Sequence, residues 1–290
     1  MKRERNGIRE QFDRDGFYVF ENILDPAEVE GLNALSDGVL AKQDQEHFEA
    51  NRTTGSMVMI DWAMAAEQIE MAELIANPRA IAALGQLGFD EPKFGHGRII
   101  SKPPKSPHLF WHEDGRFWDD PVSYTAQPIQ AFLMYYLTDT TAENGCLRVI
   151  PGSHLKRHAL HDLIAPRHTA EIKTFADPEA AEFSQVEEEI DVPVRAGDLV
   201  VGYGSLLHAS HANQSDQRRT VLTMWYYPAF VDLPERTQAT VALVETGALT
   251  EAGAEKLSGK AADLLEPLRI VYDGSAEPIE IQWVPGADLK

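Results

Sequence analysis

Glu143-Asn-Gly-Cys-Leu-Arg-Val-Ile-Pro-Gly-Ser-His154 is the stretch on which the reading of the fold turns. Asn144-Gly145 and Pro151-Gly152 are turn pairs, and Leu147-Arg-Val-Ile150 between them is a short strand-favouring run. The pattern recurs on both sides. Arg98-Ile-Ile100, Ile129 through Leu137, Val192-Pro-Val194, Leu199 through Tyr203 and Thr220 through Tyr227 all read as strands, and Ala196-Gly-Asp198 is another turn. Many short strands separated by turns predict a sandwich or barrel.

Upstream, the character is helical. Phe17-Tyr-Val-Phe20 follows the Asp15-Gly16 turn as a short strand, and Asp25-Pro26 reads as an N-cap with proline at the first helical position. Val29, Leu32, Leu35 and Leu40 supply that helix with an apolar stripe. A second helical region spans about 63–87 and is expected to divide at Pro78. Residues 155–190 are polar and acidic and read as a loop or helical insertion. The tail from about 231 is mixed and carries no readable chemistry. With no repeat, low-complexity tract or linker, the expectation is one domain over residues 1–290, helices early and strands late.

The 290 residues carry 26 Lys and Arg against 46 Asp and Glu, a formal net charge of −20. Such a field repels polyanions, which argues against nucleic acid and anionic membrane as partners. One cysteine, Cys146, excludes an intramolecular disulfide and any multi-cysteine metal site. The charged start is not followed by the apolar core of a secretory signal, and no apolar run approaches the roughly 18 residues of a membrane span. A cytoplasmic protein acting on a small molecule is the expectation; oligomeric state is not legible.

Ten histidines are present, so any pairing competes with chance. In Trp111-His112-Glu113-Asp114, residues 112 and 114 share a face if the segment is a strand. One imidazole and one carboxylate make two thirds of a 2-His-1-carboxylate facial triad, which holds Fe(II) and leaves positions open. His208, after a predicted strand, is a natural third ligand. By themselves these residues read more readily as incidental, hydrogen-bonded surface or core side chains. His108 and His112 at helical spacing would suggest zinc, but Pro103, Pro104 and Pro107 argue against a helix there.

Four parts, in order, resemble the phytanoyl-CoA dioxygenase-like family of Fe(II)/2-oxoglutarate oxygenases. They are Asp15 through Asp25 with the helix after it, the His112-x-Asp114 pair, the Asn-Gly and Pro-Gly-Ser-His string 143–154, and His208-x-Ser210-x-x-Asn213-x-Ser215-x-x-x-Arg219. The resemblance covers roughly residues 10–230. It implies a mainly β fold with flanking helices, the double-stranded β-helix or cupin-like jelly roll. It implies Fe(II) on His112, Asp114 and His208, with 2-oxoglutarate and O2 as co-substrates and succinate and CO2 as products. Arg219 would pair with the far carboxylate of 2-oxoglutarate, assisted by Ser210; a planar guanidinium suits that role better than an ammonium. The motif selects His208 over His211 and leaves His154 in a structural turn. A carboxylate at Asp114, where related halogenases carry a small residue, implies hydroxylation or a related oxidation.

Arg98, Lys102, Arg116, Phe117 and Trp118 are candidates for the cofactor or substrate pocket, with core packing the plainer role for the aromatics. Met57 and Met59 are either a flexible lip or core filling. The family name does not fix the substrate: a large polyanionic CoA thioester gains no steering from this charge, so a small metabolite is expected. Two other classes stay open. One is a non-catalytic metal-binding β-helix protein, and the other a cupin-like hydrolase or isomerase using another divalent metal, which would not need Arg219.

Overall fold

The computed structural model describes residues 2–115, 117–164, 169–246, 255–282 and 284–290. Helix α1 (Lys2–Asp15) leads into β1 (Phe17–Phe20) through Gly16, followed by α2 (Pro26–Leu40), α3 (Gln45–Ala50) and β2 (Val58–Ile60). Three helices follow, α4 (Trp62–Glu67), α5 (Ile69–Ile75) and α6 (Pro78–Gln86), and then the long strand β3 (Lys93–Lys102). The remaining strands are β4 (Leu109–His112), β5 (Ala131–Tyr136), β6 (Leu147–Val149), β7 (Ile190–Val192), β8 (Leu199–Tyr203), β9 (His208–Ser210) and β10 (Arg219–Tyr227). Short helices α7 (Leu160–Leu163) and α8 (Ala170–Thr174) lie between β6 and β7, and α9 (Glu235–Thr246) and α10 (Gly259–Leu265) follow β10.

The strands form two antiparallel sheets. The larger has the order β1-β8-β5-β10-β3-β2, and the smaller β4-β9-β6-β7. With helices packed outside the larger sheet, this is the jelly roll, mainly β with flanking helices. Strands β5, β8 and β10 are buried on both faces, because helices cover one side and the facing sheet the other. Their near-continuous apolar character follows from that.

Helix boundaries obey local chemistry. The Asp25 carboxylate accepts from the N–H groups of Ala27 and Glu28, and the Glu28 side chain accepts from the Asp25 N–H, a complete capping box. Asn77 caps α6 through the N–H groups of Arg79 and Ala80, so the region 63–87 does break before Pro78. It also breaks at Gln68, whose extended backbone ends α4.

One element was not read at all, and three expectations need correction. The amino-terminal helix α1 was not legible as such, although it buries Phe12 completely. Helices are not confined to the early chain, since α9 and α10 follow the last strand. The strand read at Val192-Pro-Val194 lies instead at Ile190–Val192, because Pro193 has no N–H for the ladder. Finally, β4 ends at His112, so Asp114 is not a strand residue; the N–H groups of Asp114 and Gly115 both donate to the Gly204 carbonyl at 2.7 Å.

Candidate active site

The two imidazoles are brought together by strand pairing. In the β4–β9 ladder, His112 stands opposite His208, with ring centroids 4.1 Å apart. Each Nδ1 lies 2.9 Å from the carbonyl two residues earlier, Phe110 for His112 and Leu206 for His208. These acceptors hold the ring proton on Nδ1 and leave both Nε2 lone pairs aimed at one point. Asp114 reaches the same point from the turn after β4. Its Oδ1 is 3.7 Å from Nε2 of His112, and its Oδ2 is 3.6 Å from Nε2 of His208. Those separations are too long for hydrogen bonds. They suit two donors that share an ion about 2 Å from each.

The surroundings hold these groups still. Phe132 packs against His208 with centroids 4.9 Å apart. It fits because position 202 is glycine: a Cβ there would lie 2.1 Å from the Phe132 ring. Trp225 donates its indole N–H to Oδ2 of Asp114 at 2.7 Å. Glu113 lies in the turn after β4 and meets the buried His161 at 3.2 Å; burial raises its carboxyl pKa.

Behind His208 a narrow inner pocket is lined by Lys102, Tyr136, Ser210, Arg219 and Thr223, among others. Lys102 and Arg219 face each other across β3 and β10 and are almost fully buried. Burial, and then Arg219, pushes the Lys102 ammonium well below its usual pKa; burial also lowers that of Arg219. Lys102 donates only to backbone carbonyls, those of Thr53 at 2.8 Å and Pro107 at 2.5 Å. Arg219 donates to the Gly145 carbonyl at 2.6 Å, at the left-handed turn where φ is +95°. Its Nε, the Ser210 hydroxyl and the Thr223 hydroxyl are buried with no hydrogen-bond partner. A buried guanidinium and a buried lysine beside three orphaned polar atoms form a site that a carboxylate completes.

In front of the three donors opens a larger cavity of about 140 Å³. Its floor is alternation at work: His96, Arg98 and Ile100 on β3 face inward, as do Thr223, Trp225 and Tyr227 on β10. Phe110, Phe117, Met57, Gln130 and Lys173 complete the wall, with Glu245 from α9. The buried Glu245 carboxylate accepts from the Tyr227 hydroxyl at 2.7 Å and pairs with Nδ1 of His96 at 3.0 Å.

The sequence candidates therefore divide. Arg98 and Phe117 line the larger cavity, while Lys102 belongs to the inner pocket. Trp118 lines neither; it packs on Tyr124 and lines a small neighbouring cleft. Arg116 lies outside the described residues. Met57 lines the cavity, whereas Met59 contacts the Arg98 guanidinium. His154 is structural, as expected: it contacts the Asp13 carbonyl at 3.1 Å and the Tyr203 ring, and burial lowers its pKa to about 4.

Trp225, Lys173 and Glu245 were missed. Trp225 was within reach, since it stands six residues after Arg219 on one alternating strand. Lys173 and Glu245 had no such signal; the tail from about 231, in which no chemistry is readable from sequence, supplies part of the cavity wall.

A family model, phytanoyl-CoA dioxygenase (PhyH), matches residues 12–221, most of the chain. The chain belongs to the phytanoyl-CoA dioxygenase family. Among curated relatives, phytanoyl-CoA dioxygenase 1 of Oryza sativa subsp. japonica is 35% identical over 130 residues, which is 43% of this chain and 41% of that protein. Ectoine dioxygenase of Nocardia farcinica is 29% identical over 147 residues, 49% of each chain. The matches thus span about half or less of these relatives' length. Among solved structures, the non-heme alpha-ketoglutarate-dependent epimerase SnoN of nogalamycin biosynthesis aligns with a TM-score of 0.58 at 21% identity, covering 79% of this chain and 85% of that one. At that identity the likeness establishes the fold. SnoN has also been solved with Fe3+, alpha-ketoglutarate and nogalamycin RO. No helix among the described residues of this chain is long and apolar enough to cross a membrane.

Proposed function

We propose that this protein is an Fe(II)/2-oxoglutarate-dependent dioxygenase that oxidises a small molecule with release of succinate and CO2. The observation that carries the reading is the adjacency of two incomplete sites. Three metal-ligating side chains converge beside an inner pocket that holds a buried guanidinium, a buried lysine and unpartnered polar atoms. The non-catalytic reading and the hydrolase reading leave that pocket unexplained.

In this reading His112, Asp114 and His208 hold the iron, and Arg219 with Ser210 holds the far carboxylate of 2-oxoglutarate. Bound together, iron and 2-oxoglutarate supply O2 activation and the oxidising power. The chain supplies everything else. Arg219 fixes the length and direction of the cofactor by a charge-assisted contact in a dry pocket. Lys102 lines the same pocket, held by the Thr53 and Pro107 carbonyls. Trp225 holds the Asp114 carboxylate in one orientation. Phe110, Phe117 and Trp225 keep water from the substrate side.

A small metabolite is favoured over an acyl-CoA. The cavity is compact, about 140 Å³, and its wall carries both signs of charge: Arg98 and Lys173 against Glu245. A polar or zwitterionic molecule meets such a wall better than a long acyl chain. The reading takes residues 1–290 as one oxygenase domain acting in the cytoplasm, without nucleic acid or membrane partners, supported by the shared core of the sheets and the acidic charge.

The test is succinate formation across a panel of metabolites and acyl-CoA thioesters, with anaerobic 2-oxoglutarate titration of the iron protein. A charge-transfer absorption on titration and succinate driven by a small polar compound are expected. Absence of that absorption would remove the dioxygenase reading, and a clear acyl-CoA preference would remove the substrate class.

A further inference from the structure

A second cluster of metal-binding side chains lies on the opposite face of the smaller sheet. Cys146 immediately precedes β6, Asp191 lies in β7 and His211 immediately follows β9. One donor atom from each falls within 4.8 Å of the others. Strand register explains the gathering. Leu147 pairs with both Ser210 and Val192. The next position along puts His211 opposite Cys146, with the His211 N–H donating to the Cys146 carbonyl at 3.1 Å. Ser210 faces the inner pocket, so its neighbour His211 faces outward. The β4–β9 pairing of Leu109 with Ser210 sets His108 beside His211 in the same way, ring centroids 6.2 Å apart.

We propose that Cys146, Asp191 and His211, with His108 as a fourth donor, form a second metal site that takes Zn2+ or a similar borderline-soft divalent ion. The donor chemistry selects the ion: one thiolate, one or two imidazoles and one carboxylate are a tetrahedral zinc set. The site proposed for iron contains no sulfur, so the two differ in softness. Nδ1 of His108 is a buried nitrogen with no hydrogen-bond partner. The 2.6 Å contact between Nε2 of His211 and Oδ1 of Asp191 already draws two donors together. An entry path exists, because the Asp191 side chain is 44% exposed.

A Cys–His–Asp grouping also suggests a nucleophile, and the structure argues against that. The Cys146 thiol is fully buried, and burial together with Asp191 pushes its pKa up to about 12. Burial and the Asp191 carboxylate both disfavour the free thiolate that a nucleophile needs. A cation supplies the missing charge: on binding, the thiol proton leaves to solvent while the imidazoles bind as neutral ligands. The ion would then tie β4, β6, β7 and β9 together from behind. Strand β9 carries His208 and Ser210 on its other face, so the same ion would brace the catalytic side. The proposal does not depend on the dioxygenase reading.

The test is titration of the metal-stripped full chain with Co2+. About two equivalents should bind, one of them bringing a thiolate-to-Co(II) charge-transfer band in the near ultraviolet. Cys146→Ser should abolish that band and reduce capacity to about one equivalent, with the sulfur-free ligand-field bands of the other site retained. Asp191→Asn and His108→Ala should each weaken the band-forming site at least about tenfold. Melting curves without metal verify that the variants are folded; should Cys146→Ser fail to fold, the other two decide. No thiolate band in the wild-type titration, or a band untouched by Asp191→Asn and His108→Ala alike, overturns the site. Loss of the ligand-field bands with the thiolate band intact would instead count against the iron-site assignment and leave this one standing.

Discussion

The indole N–H of Trp225 donates to Oδ2 of Asp114 at 2.7 Å, joining the middle of β10 to the turn after β4 across 111 residues of chain. The same indole stacks on His96, with centroids 4.9 Å apart and ring planes 28° from parallel. His96 pairs with Glu245, and Glu245 accepts from Tyr227. One carboxylate of the donor triad is thus coupled to the far wall of the cavity through four side chains.

Replacing Trp225 by Phe keeps the stack and removes the donor. Groups that orient a metal ligand in this way are worth about 10–100-fold in metal affinity. Anaerobic Fe(II) titration of Trp225→Phe should show weakening in that range with the fold intact. Unchanged affinity would mean that the turn alone holds Asp114.

Arg219→Lys retains a positive charge but loses the planar fork and the reach to Gly145. A charge-assisted hydrogen bond contributes about 1.5–3 kcal/mol, so 2-oxoglutarate affinity should fall by roughly 10–100-fold. Competition or direct titration with 2-oxoglutarate measures this. Equal affinity in wild type and variant would place the cofactor elsewhere.

Glu245→Gln removes a buried charge from the substrate side only. Substrate KM should rise while 2-oxoglutarate affinity stays the same, because Glu245 lines the larger cavity and not the inner pocket. A parallel loss of both affinities would show that α9 supports the whole site rather than meeting substrate.

His154 gives a pH signature. Burial holds its pKa near 4, below the usual value of about 6.5, so the unfolded chain binds a proton in that interval and the folded chain does not. Its contribution is therefore complete above about pH 6.5 and is lost as pH falls toward 4, by up to about 3 kcal/mol. Denaturant unfolding at several pH values should show this slope, and His154→Gln should flatten it. A slope identical in the variant would assign the acid sensitivity to other groups.

Much was legible in the sequence, and for a local reason. Turn pairs such as Asn144-Gly145 and an N-cap such as Asp25-Pro26 act within a few residues, so the chain itself determines where most strands lie and where α2 and α6 begin. The site motif was legible through its spacing, since Ser210 and Arg219 follow His208 at family intervals. The equally short β1 and β6 were legible from the turn pairs beside them; β2, β4 and β9, with three or four residues and no such pair read next to them, were not.

What only the tertiary structure decided is which distant segments meet. The pairing of β4 with β9 sets His112 against His208, β10 brings Trp225 to Asp114, and α9 carries Glu245 to the wall of the cavity. The second cluster, from His108 to His211, arises from the register of four strands spread over about a hundred residues. No local propensity encodes such meetings; they are set when two sheets close over one core and each strand settles into the register that buries its apolar face.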